Sequence, residues 1–272
     1  MVRRFSPVVA PLFVPATRPE RFLKAAQSGA DAIIIDLEDA VAAAEKEEAR
    51  ARLAAFDLAT LPVPVYVRTN ASNTQWFVDD LDAIARMAVA GIVLPKTETE
   101  DDLRDVAERS GEALPVIGLI ETAVGVNGLP QLGQASNLAQ MAFGSIDFAL
   151  DIGARHQRDS LLLARSALVL HARAARLPAP LDGVTVAISD AEALAADCDH
   201  AAALGFGGKL AIHPSQIEAI RTAFRPSAEE VAWARKVLSA EADAAGAAVK
   251  LDGAMIDAPV AERARRILAR AT

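Results

Sequence analysis

The sequence predicts an α/β protein built as a (β/α)8 TIM barrel with a C-terminal helical extension or lid. Eight short apolar runs rich in β-branched residues alternate with longer amphipathic stretches, and several of these runs are apolar at successive positions. Such alternation implies a parallel sheet with helical crossovers, and continuous apolar runs are typical of strands covered on both faces. The length of 272 residues suits one barrel, which commonly takes about 250 residues.

The predicted elements follow each other in strict order. The strands are residues 8–14, 32–37, 63–68, 91–94, 116–120, 138–143, 183–188 and 209–212. The helices are residues 19–28, 44–56, 76–88, 98–110, a short helix after Glu121, then 160–176, 190–204 and 214–223. No strand is followed by Gly-x-Gly-x-x-Gly, so the dinucleotide fingerprint of a doubly wound sheet is missing and the barrel is preferred.

The C-terminal part lies outside the eightfold count. After Arg225 and Pro226 the pattern predicts a helix over residues 228–245, an extended segment over 250–256 and a last helix from Pro259. We therefore assign residues 1–225 to the barrel domain and residues 226–272 to a helical extension and lid.

Composition excludes several classes of partner. A net charge of −8 and the lack of a basic stripe with interleaved aromatics disfavour nucleic acid. No apolar run approaches the roughly 20 residues needed to cross a bilayer, so no membrane partner is expected. The single Cys198 and the absence of a secretory pattern at the N-terminus predict a cytoplasmic protein. A small anionic substrate remains open, because local arginines and a metal act within about 8 Å.

Polar residues gather where the predicted strands end, which is where barrel enzymes carry their reactive groups. The strand-end segments are DLED (36–39), RTN (68–70), PK (95–96), ET (121–122), GSID (144–147) and HP (213–214). Carboxylates converging from different strands repel each other unless a cation joins them. Glu121 and Asp147 are our choice of ligands, because Mg²⁺ typically takes one or two protein carboxylates. The alternative, that both residues cap helices, is equally compatible with their spacing.

Basic residues allow two interpretations each. Arg68 ends an apolar strand and needs an anionic partner. This partner is a carboxylate or thioester oxygen of the substrate, or the carboxylate of Glu38 or Asp39 in a buried ion pair. Arg18, Arg21 and Lys24 lie about one helical turn apart. They suit a phosphate cradle or a solvated helix face, and the solvated face is favoured for Lys24.

Other catalytic classes have weaker support. The histidines lack zinc-ligand spacing, and Ser145 lacks the second glycine of a Gly-x-Ser-x-Gly nucleophile elbow. A Schiff-base aldolase needs a lysine at a strand end, and Lys96 qualifies by position.

A series of segments, in order along nearly the whole chain, forms a specific pattern. The segments are LFVPA (12–16), RPERFLK (18–24), GADAIIIDLEDAV (29–41), VRTN (67–70), LPKTE (94–98), IETA (120–123), FGSIDF (143–148), GKLAIHPSQI (208–217) and MIDAP (255–259). Together they resemble the citrate lyase beta-subunit-like family of the HpcH/HpaI aldolase superfamily.

The resemblance implies a homotrimeric barrel that uses Mg²⁺ to cleave or form a carbon–carbon bond alpha to an acyl-CoA thioester, with a keto acid as the other partner. It implies metal ligands Glu121 and Asp147, substrate-binding residues Arg68, Glu121, Arg18 and Lys24, and catalytic residues Asp257, Arg68, Glu38 and Asp39. In lyase members the aspartate that Asp257 matches reaches a neighbouring subunit's site on a C-terminal lid.

The chemistry implied is a retro-Claisen cleavage of a citryl-, malyl- or citramalyl-CoA-like thioester into a 2-keto acid and acetyl-CoA. The alternatives are hydrolysis of the same thioesters, a CoA-independent aldolase, or a citrate lyase complex subunit without activity of its own. The run GSIDFALD (144–151) departs from the Glu-Asp version of several lyases, and no motif identifies the acyl group.

Overall fold

The computed structural model describes residues 5–110, 114–243, 249–251 and 254–271. Its two compact units comprise residues up to Arg221 and residues from Thr222, whereas the sequence places the boundary between residues 225 and 226. The first unit contains eight strands: β1 (Leu12–Pro15), β2 (Ile33–Asp36), β3 (Val65–Arg68), β4 (Gly91–Leu94), β5 (Val116–Ile120), β6 (Leu138–Phe143), β7 (Leu181–Asp182) and β8 (Gly208–Lys209).

Helices occupy the connections between the strands, and one further helix follows β8. They are α1 (Phe22–Ala26), α2 (Lys46–Ala54), α3 (Phe77–Ile84), α4 (Glu100–Arg109), α5 (Ala123–Leu132), α6 (Ser145–Asp151), α7 (Arg158–Ala174), α8 (Ala191–Leu204) and α9 (Ile217–Phe224). Short 3-10 turns precede α1, α2 and α9. No helix in the described ranges is both long enough and apolar enough to span a lipid bilayer.

The eight strands form one parallel sheet in sequential order, and the sheet closes on itself. Leu12 forms a parallel bridge with Ala211, the Phe13 amide donates to the Ala211 carbonyl at 2.9 Å, and the Ala211 amide donates to the Pro11 carbonyl at 3.0 Å. Gly208 lies so close to the Val9 backbone at this seam that a Cβ would overlap it. The predicted (β/α)8 barrel is confirmed.

Inward-facing side chains fill the barrel instead of leaving a pore. The interior cluster comprises Val8, Ala32, Ile34, Tyr66, Val93, Ile117, Leu119, Ala142, Leu181 and Leu210. Its members come from every strand region, so burying them ties the whole sheet together.

The seventh predicted strand, residues 183–188, is wrong, because the strand is β7 at Leu181–Asp182. The β-branched run after it favours extended backbone, but Val186 and Ile188 are 59% and 43% exposed and do not pair with the sheet. Helix α6 was absent from the predicted elements; it follows Gly144, which supplies no side-chain cap and therefore no start signal. The eighth strand is also shorter than predicted.

The second unit contains α10 (Ala228–Asp243), the antiparallel pair β9 (Val249–Leu251) and β10 (Ala254–Ile256), and α11 (Ala258–Arg270). Its own core comprises Ala234, Val237, Ile256, Ala261, Ala264 and Ile267. The helix, extended segment and final helix predicted there are found. Residues 244–245 of the predicted helix and 252–253 of the predicted extended segment lie outside the described residues.

A buried charge cluster fixes the position of β7 and β8. Asp182 accepts from Arg165 Nε at 2.8 Å and from Lys209 Nζ at 3.0 Å, and Lys209 also donates to the Gly183 carbonyl. Asp182 and Lys209 are each 1% exposed. Charges removed from water to this extent need their partners, since an uncompensated buried charge is strongly destabilising.

We therefore predict that Asp182→Asn lowers the free energy of unfolding by about 3 kcal/mol or more, because it leaves two buried cations with one counter-ion fewer. Urea unfolding followed by circular dichroism measures the effect. Asp101→Asn, which breaks an exposed pair with Arg104, is the matched control and should leave the midpoint nearly unchanged. Equal midpoints for the two variants would contradict the prediction.

Candidate functional site

A cavity of about 410 Å³ opens at the carboxyl ends of the strands. Its polar lining comprises Asp36, Asp39, Arg68, Glu121, Ser145 and Asp147, and its apolar wall includes Phe13, Leu119, Phe143 and Leu210. A concave, largely apolar pocket with a few converging polar groups is the usual form of a small-molecule site. This cavity is therefore a candidate site at the mouth of the barrel, where the strand-end residues were predicted to converge.

Arg68 is held by three carboxylates. Its Nε and Nη2 donate to Oδ1 and Oδ2 of Asp36 at 2.7 and 2.6 Å, and the two residues are register partners at the ends of β2 and β3. Its Nη1 donates to Asp39 at 3.1 Å and lies 2.9 Å from Glu38 Oε2. The guanidinium also stacks on the Phe13 ring at 4.8 Å. The predicted ion pairs with Glu38 and Asp39 are found, but the bidentate partner is Asp36.

These carboxylates keep Arg68 charged. Burial lowers the pKa of its guanidinium, but the negative charges of Asp36, Glu38 and Asp39 outweigh burial, so the pKa is raised overall. With its bidentate face occupied by Asp36, Arg68 acts as a fixed positive charge beside the cavity.

Glu121 directly follows β5 and is the most deeply buried acid of the site, with 1% exposure. Its Oε1 accepts from the Lys96 backbone amide at 2.8 Å. Gly144 makes room for it, because a Cβ there would overlap the Glu121 side chain. Burial and then the charge of Glu38 raise the pKa of Glu121 to about 8.

Glu38 lies between the two cations of the site. Its carboxylate is 2.9 Å from Arg68 and 3.7 Å from Lys96 Nζ. Burial nevertheless raises its pKa to about 7, since the nearby cations only partly offset the lost hydration. Two neighbouring acids with strongly raised pKa values in one cleft are typical of functional sites.

Lys96 has the left-handed backbone conformation, with φ of 46°, which is uncommon outside glycine. This conformation accompanies the bond from its amide to Glu121 and places Nζ 3.9 Å from Glu121 Oε1. Burial lowers the pKa of Lys96, but the negative charges of Glu121 and Glu38 raise it by more, so the net shift of the pKa is upward. A protonated amine is a poor nucleophile, which disfavours the Schiff-base alternative.

The donor set suits a hard cation. Asp147 lies in the first turn of α6, lines the cavity and makes no side-chain hydrogen bond to the described residues. Glu121 is not a helix cap, because Thr122 caps α5 by accepting from the Gly125 amide at 3.0 Å. Within the described ranges no three His, Cys, Asp or Glu side chains form a metal cage. Two carboxylates beside open space fit Mg²⁺, which completes its shell with water and ligand oxygens.

The remaining predicted residues lie elsewhere. Arg18 is 57% exposed at its side chain and lies 3.6 Å from Glu20. Lys24 is exposed and lines a neighbouring cavity of about 320 Å³ together with Arg21 and His213. Neither lines the main cavity, and their substrate-binding role stays a prediction.

Asp257 belongs to the second unit. It caps α11, where its Oδ1 accepts from the Val260 amide at 3.2 Å, and it is exposed. A capping role is therefore established geometrically, while its catalytic role stays a prediction.

Sequence reasoning missed two features of the site. Asp36 was not singled out, although the equal positions of Asp36 and Arg68 at the ends of adjacent strands were a usable signal. Ser145 Oγ lies 2.9 Å from His156 Nε2, a contact between the first residue of α6 and the segment that follows this helix. No spacing rule predicts that contact, because it depends on how the chain returns after α6.

Comparisons with known proteins agree with this geometry. Residues 10–214 match the family model HpcH/HpaI aldolase/citrate lyase, and residues 172–272 match a model of carbon–carbon bond lyases of the TIM-barrel fold. A citrate lyase subunit beta-like protein of Mycobacterium tuberculosis is 40% identical over 274 residues, covering 96% of this chain and 94% of that protein. A (3S)-malyl-CoA thioesterase of Cereibacter sphaeroides is 34% identical, covering 100% and 95%.

A solved structure is similar over the same extent. The crystal structure of the protein CitE from Mycobacterium tuberculosis in complex with magnesium, acetoacetate and coenzyme A has a TM-score of 0.83 and 38% identity. The structural match covers 97% of this chain and 98% of the CitE chain.

The raised pKa values predict a stability that falls with rising pH. An acid with a raised native pKa holds its proton more tightly when folded, so Glu121 favours the native state less as pH rises from about 4.5 to about 8. In EDTA-containing buffer, Glu121→Gln should reduce this slope by up to about 1.4 kcal/mol per pH unit.

Urea unfolding at pH 5 to 9 measures the slope, with exposed Glu108→Gln as the control. If Glu121→Gln and Glu108→Gln retain the same slope, burial does not perturb Glu121 as described.

Proposed function

Because the chain belongs to the HpcH/HpaI aldolase/citrate lyase family, we propose that it is a Mg²⁺-dependent lyase that cleaves a carbon–carbon bond in an acyl-CoA thioester. The substrate class is a citryl-, malyl- or citramalyl-CoA-like thioester, and the products are a 2-keto acid and acetyl-CoA. The single observation that carries the proposal is the placement of Glu121 and Asp147 on the wall of one open cavity beside Arg68.

The charge balance of the mouth supports a bound divalent cation. Five described carboxylates meet there, Asp36, Glu38, Asp39, Glu121 and Asp147, and only two cations form ion pairs with them, Arg68 and Lys96. A third cation, the buried Lys46, donates to the backbone carbonyls of Leu37 and Glu38, so carboxylates still outnumber cations. The pKa values of Glu38 and Glu121 are raised, so placing more positive charge near them is favourable. Glu121 and Asp147 would hold Mg²⁺, which when bound supplies Lewis acidity toward the substrate's hydroxyl and keto oxygens.

The surrounding residues bind and orient the substrate. Arg68 presents a fixed positive charge that stabilises a carboxylate or the developing enolate oxygen of the thioester. Its three carboxylate partners and the Phe13 ring prevent it from moving away from the cavity. The apolar wall formed by Leu119, Phe143 and Leu210 limits water at the reacting carbon, which strengthens these charge interactions.

Proton transfer to the departing carbon requires another group. We assign it to Asp257, which would exchange the proton with the methyl carbon of acetyl-CoA as a general acid or base. The proposal includes Glu38 and Asp39 near the cation's waters, Arg18 and Lys24 toward the CoA moiety, and a homotrimer working in the cytoplasm.

Thioester hydrolysis is the second candidate function. It is favoured by the similarity to the (3S)-malyl-CoA thioesterase, which extends over the whole chain. The same cavity would serve both reactions, because each begins from a thioester held beside positive charge. The products distinguish them: hydrolysis releases free CoA and no keto acid.

Incubation of the purified protein with malyl-, citramalyl- and citryl-CoA in the presence of Mg²⁺ tests the function. We expect acetyl-CoA and a keto acid in equal amounts, detected by mass spectrometry, and no reaction in EDTA. Free CoA with intact hydroxy acid would establish the thioesterase instead. No turnover of any of the three thioesters by the trimer would contradict both.

Glu121→Gln and Asp147→Asn should each weaken Mg²⁺ binding by about a hundredfold, because each removes one of two anionic ligands. Titration calorimetry with MgCl₂ measures the affinity independently of turnover. Exposed Asp105→Asn is the matched control and should bind as the wild type does. Unchanged affinity in both cavity variants would place the cation elsewhere.

Asp257→Asn should lower kcat by about 10² or more with little change in KM, if the carboxylate transfers a proton. Asparagine is as good a helix N-cap as aspartate, so α11 and the melting temperature should be preserved. Steady-state kinetics with calorimetric melting separate the two roles. A wild-type kcat in this variant would leave Asp257 as a cap alone.

A further inference from the structure

A further cavity, of about 240 Å³ and named here the second cavity, lies beside the main one on the β6–β8 side of the mouth. Its wall includes His156, Arg158, Arg165, Val184, Thr185 and Asp197. Val184 lines both cavities, and His156 here touches Ser145 of the main cavity at 2.9 Å. The two cavities are therefore adjacent: they share Val184 as a wall residue, and the contact between His156 and Ser145 links them.

Arg165 points to an anionic occupant. Its side chain is only 8% exposed, and its Nε is satisfied by Asp182 at 2.8 Å. Its two Nη groups donate to none of the described residues, although the side chain lines the cavity. The Nη groups can therefore donate to an occupant of the cavity, and the planar guanidinium fork matches the oxygens of a carboxylate or phosphate.

The start of α7 adds a second, independent set of donors. This helix of 17 residues begins at the cavity, where Gln157 and Arg158 line the wall, and its N-cap Gln157 makes no side-chain capping bond. The first backbone amides of a helix carry partial positive charge and bind anions when no cap satisfies them. In TIM barrels the loops after strands seven and eight frequently bind phosphate, and Thr185 lies in the first of these loops.

The acids near the cavity do not cancel this positive character. Asp197 Oδ1 accepts from Arg158 Nη2 at 3.0 Å, and its Oδ2 accepts from Thr185 Oγ1 at 2.8 Å. Asp182 is shared between Arg165 and Lys209. These groups together comprise three cations and two anions: Arg158, Arg165 and Lys209 with Asp182 and Asp197. A third acid, Asp159, lies in the first turn of α7, but it is exposed and does not line the cavity.

We propose that this second cavity binds a small oxyanion, a carboxylate or phosphate group, through the Nη atoms of Arg165 and the first turn of α7. The proposal does not rest on the lyase function, because none of the anion's ligands belongs to the Mg²⁺ site. The contact between His156 and Ser145 connects its occupancy to the substrate cavity.

Calorimetric titration of the full-length protein with inorganic phosphate and with malonate, in EDTA, tests the proposal. We expect one site per chain, weakened about tenfold or more by Ala193→Leu, which fills the cavity from α8 without altering any charge. Ala195→Leu, at an exposed position of the same helix, is the control and should bind as the wild type does. Arg165→Lys should lose anion affinity to the same extent. If Arg165→Lys does not fold, Ala193→Leu still tests the proposal.

Selenate soaked into crystals locates the anion by anomalous scattering, and we expect a peak within hydrogen-bond distance of Arg165. Repeating the phosphate titration with saturating CoA identifies the source of the bound anion. If CoA competes with phosphate, the site takes a phosphate group of the thioester substrate. If CoA does not compete, the site takes a free anion. No binding of either probe at millimolar concentration, or equal binding by Ala193→Leu and Ala195→Leu, would overturn the proposal.

Discussion

The concentration of carboxylates at one end of a closed barrel is the constraint on which the site depends. Parallel strands bring their last residues to the same rim, so acids that are distant in sequence become neighbours. Burial then removes the water that would screen them, and the pKa values of Glu38 and Glu121 rise. The protein limits this repulsion with Arg68 and Lys96, and a hard cation at Glu121 and Asp147 would limit it further.

Arg68 shows how this constraint shapes function. An arginine that was free to form a bidentate pair with a substrate carboxylate would release Asp36 into a buried, unpaired state. Its occupied fork therefore favours a stationary charge over a flexible clamp. A stationary charge stabilises negative oxygen without reorganising during the reaction, which is the arrangement that electrostatic catalysis requires.

Membership in the family does not by itself decide between lyase and thioesterase, because one barrel supports several reactions. Both reactions need a thioester carbonyl held beside positive charge. The difference lies in which bond breaks, and so in whether water reaches the carbonyl and whether an acid reaches the departing carbon.

The amino-acid sequence by itself determined the barrel, its first six strands, and the rim positions of Glu121, Asp147 and Arg68, because hydrophobic periodicity and strand ends are local properties. Only the tertiary structure decided the contacts between segments. The position of β7 depends on the burial of Asp182 among distant cations, and the exposed Val186 follows from it. The Asp36–Arg68 pair, the strained Lys96 and the second cavity likewise arise where separate strands and helices meet. Local secondary-structure propensity carries no information about such tertiary contacts, because their energies come from desolvation and charge pairing between distant segments.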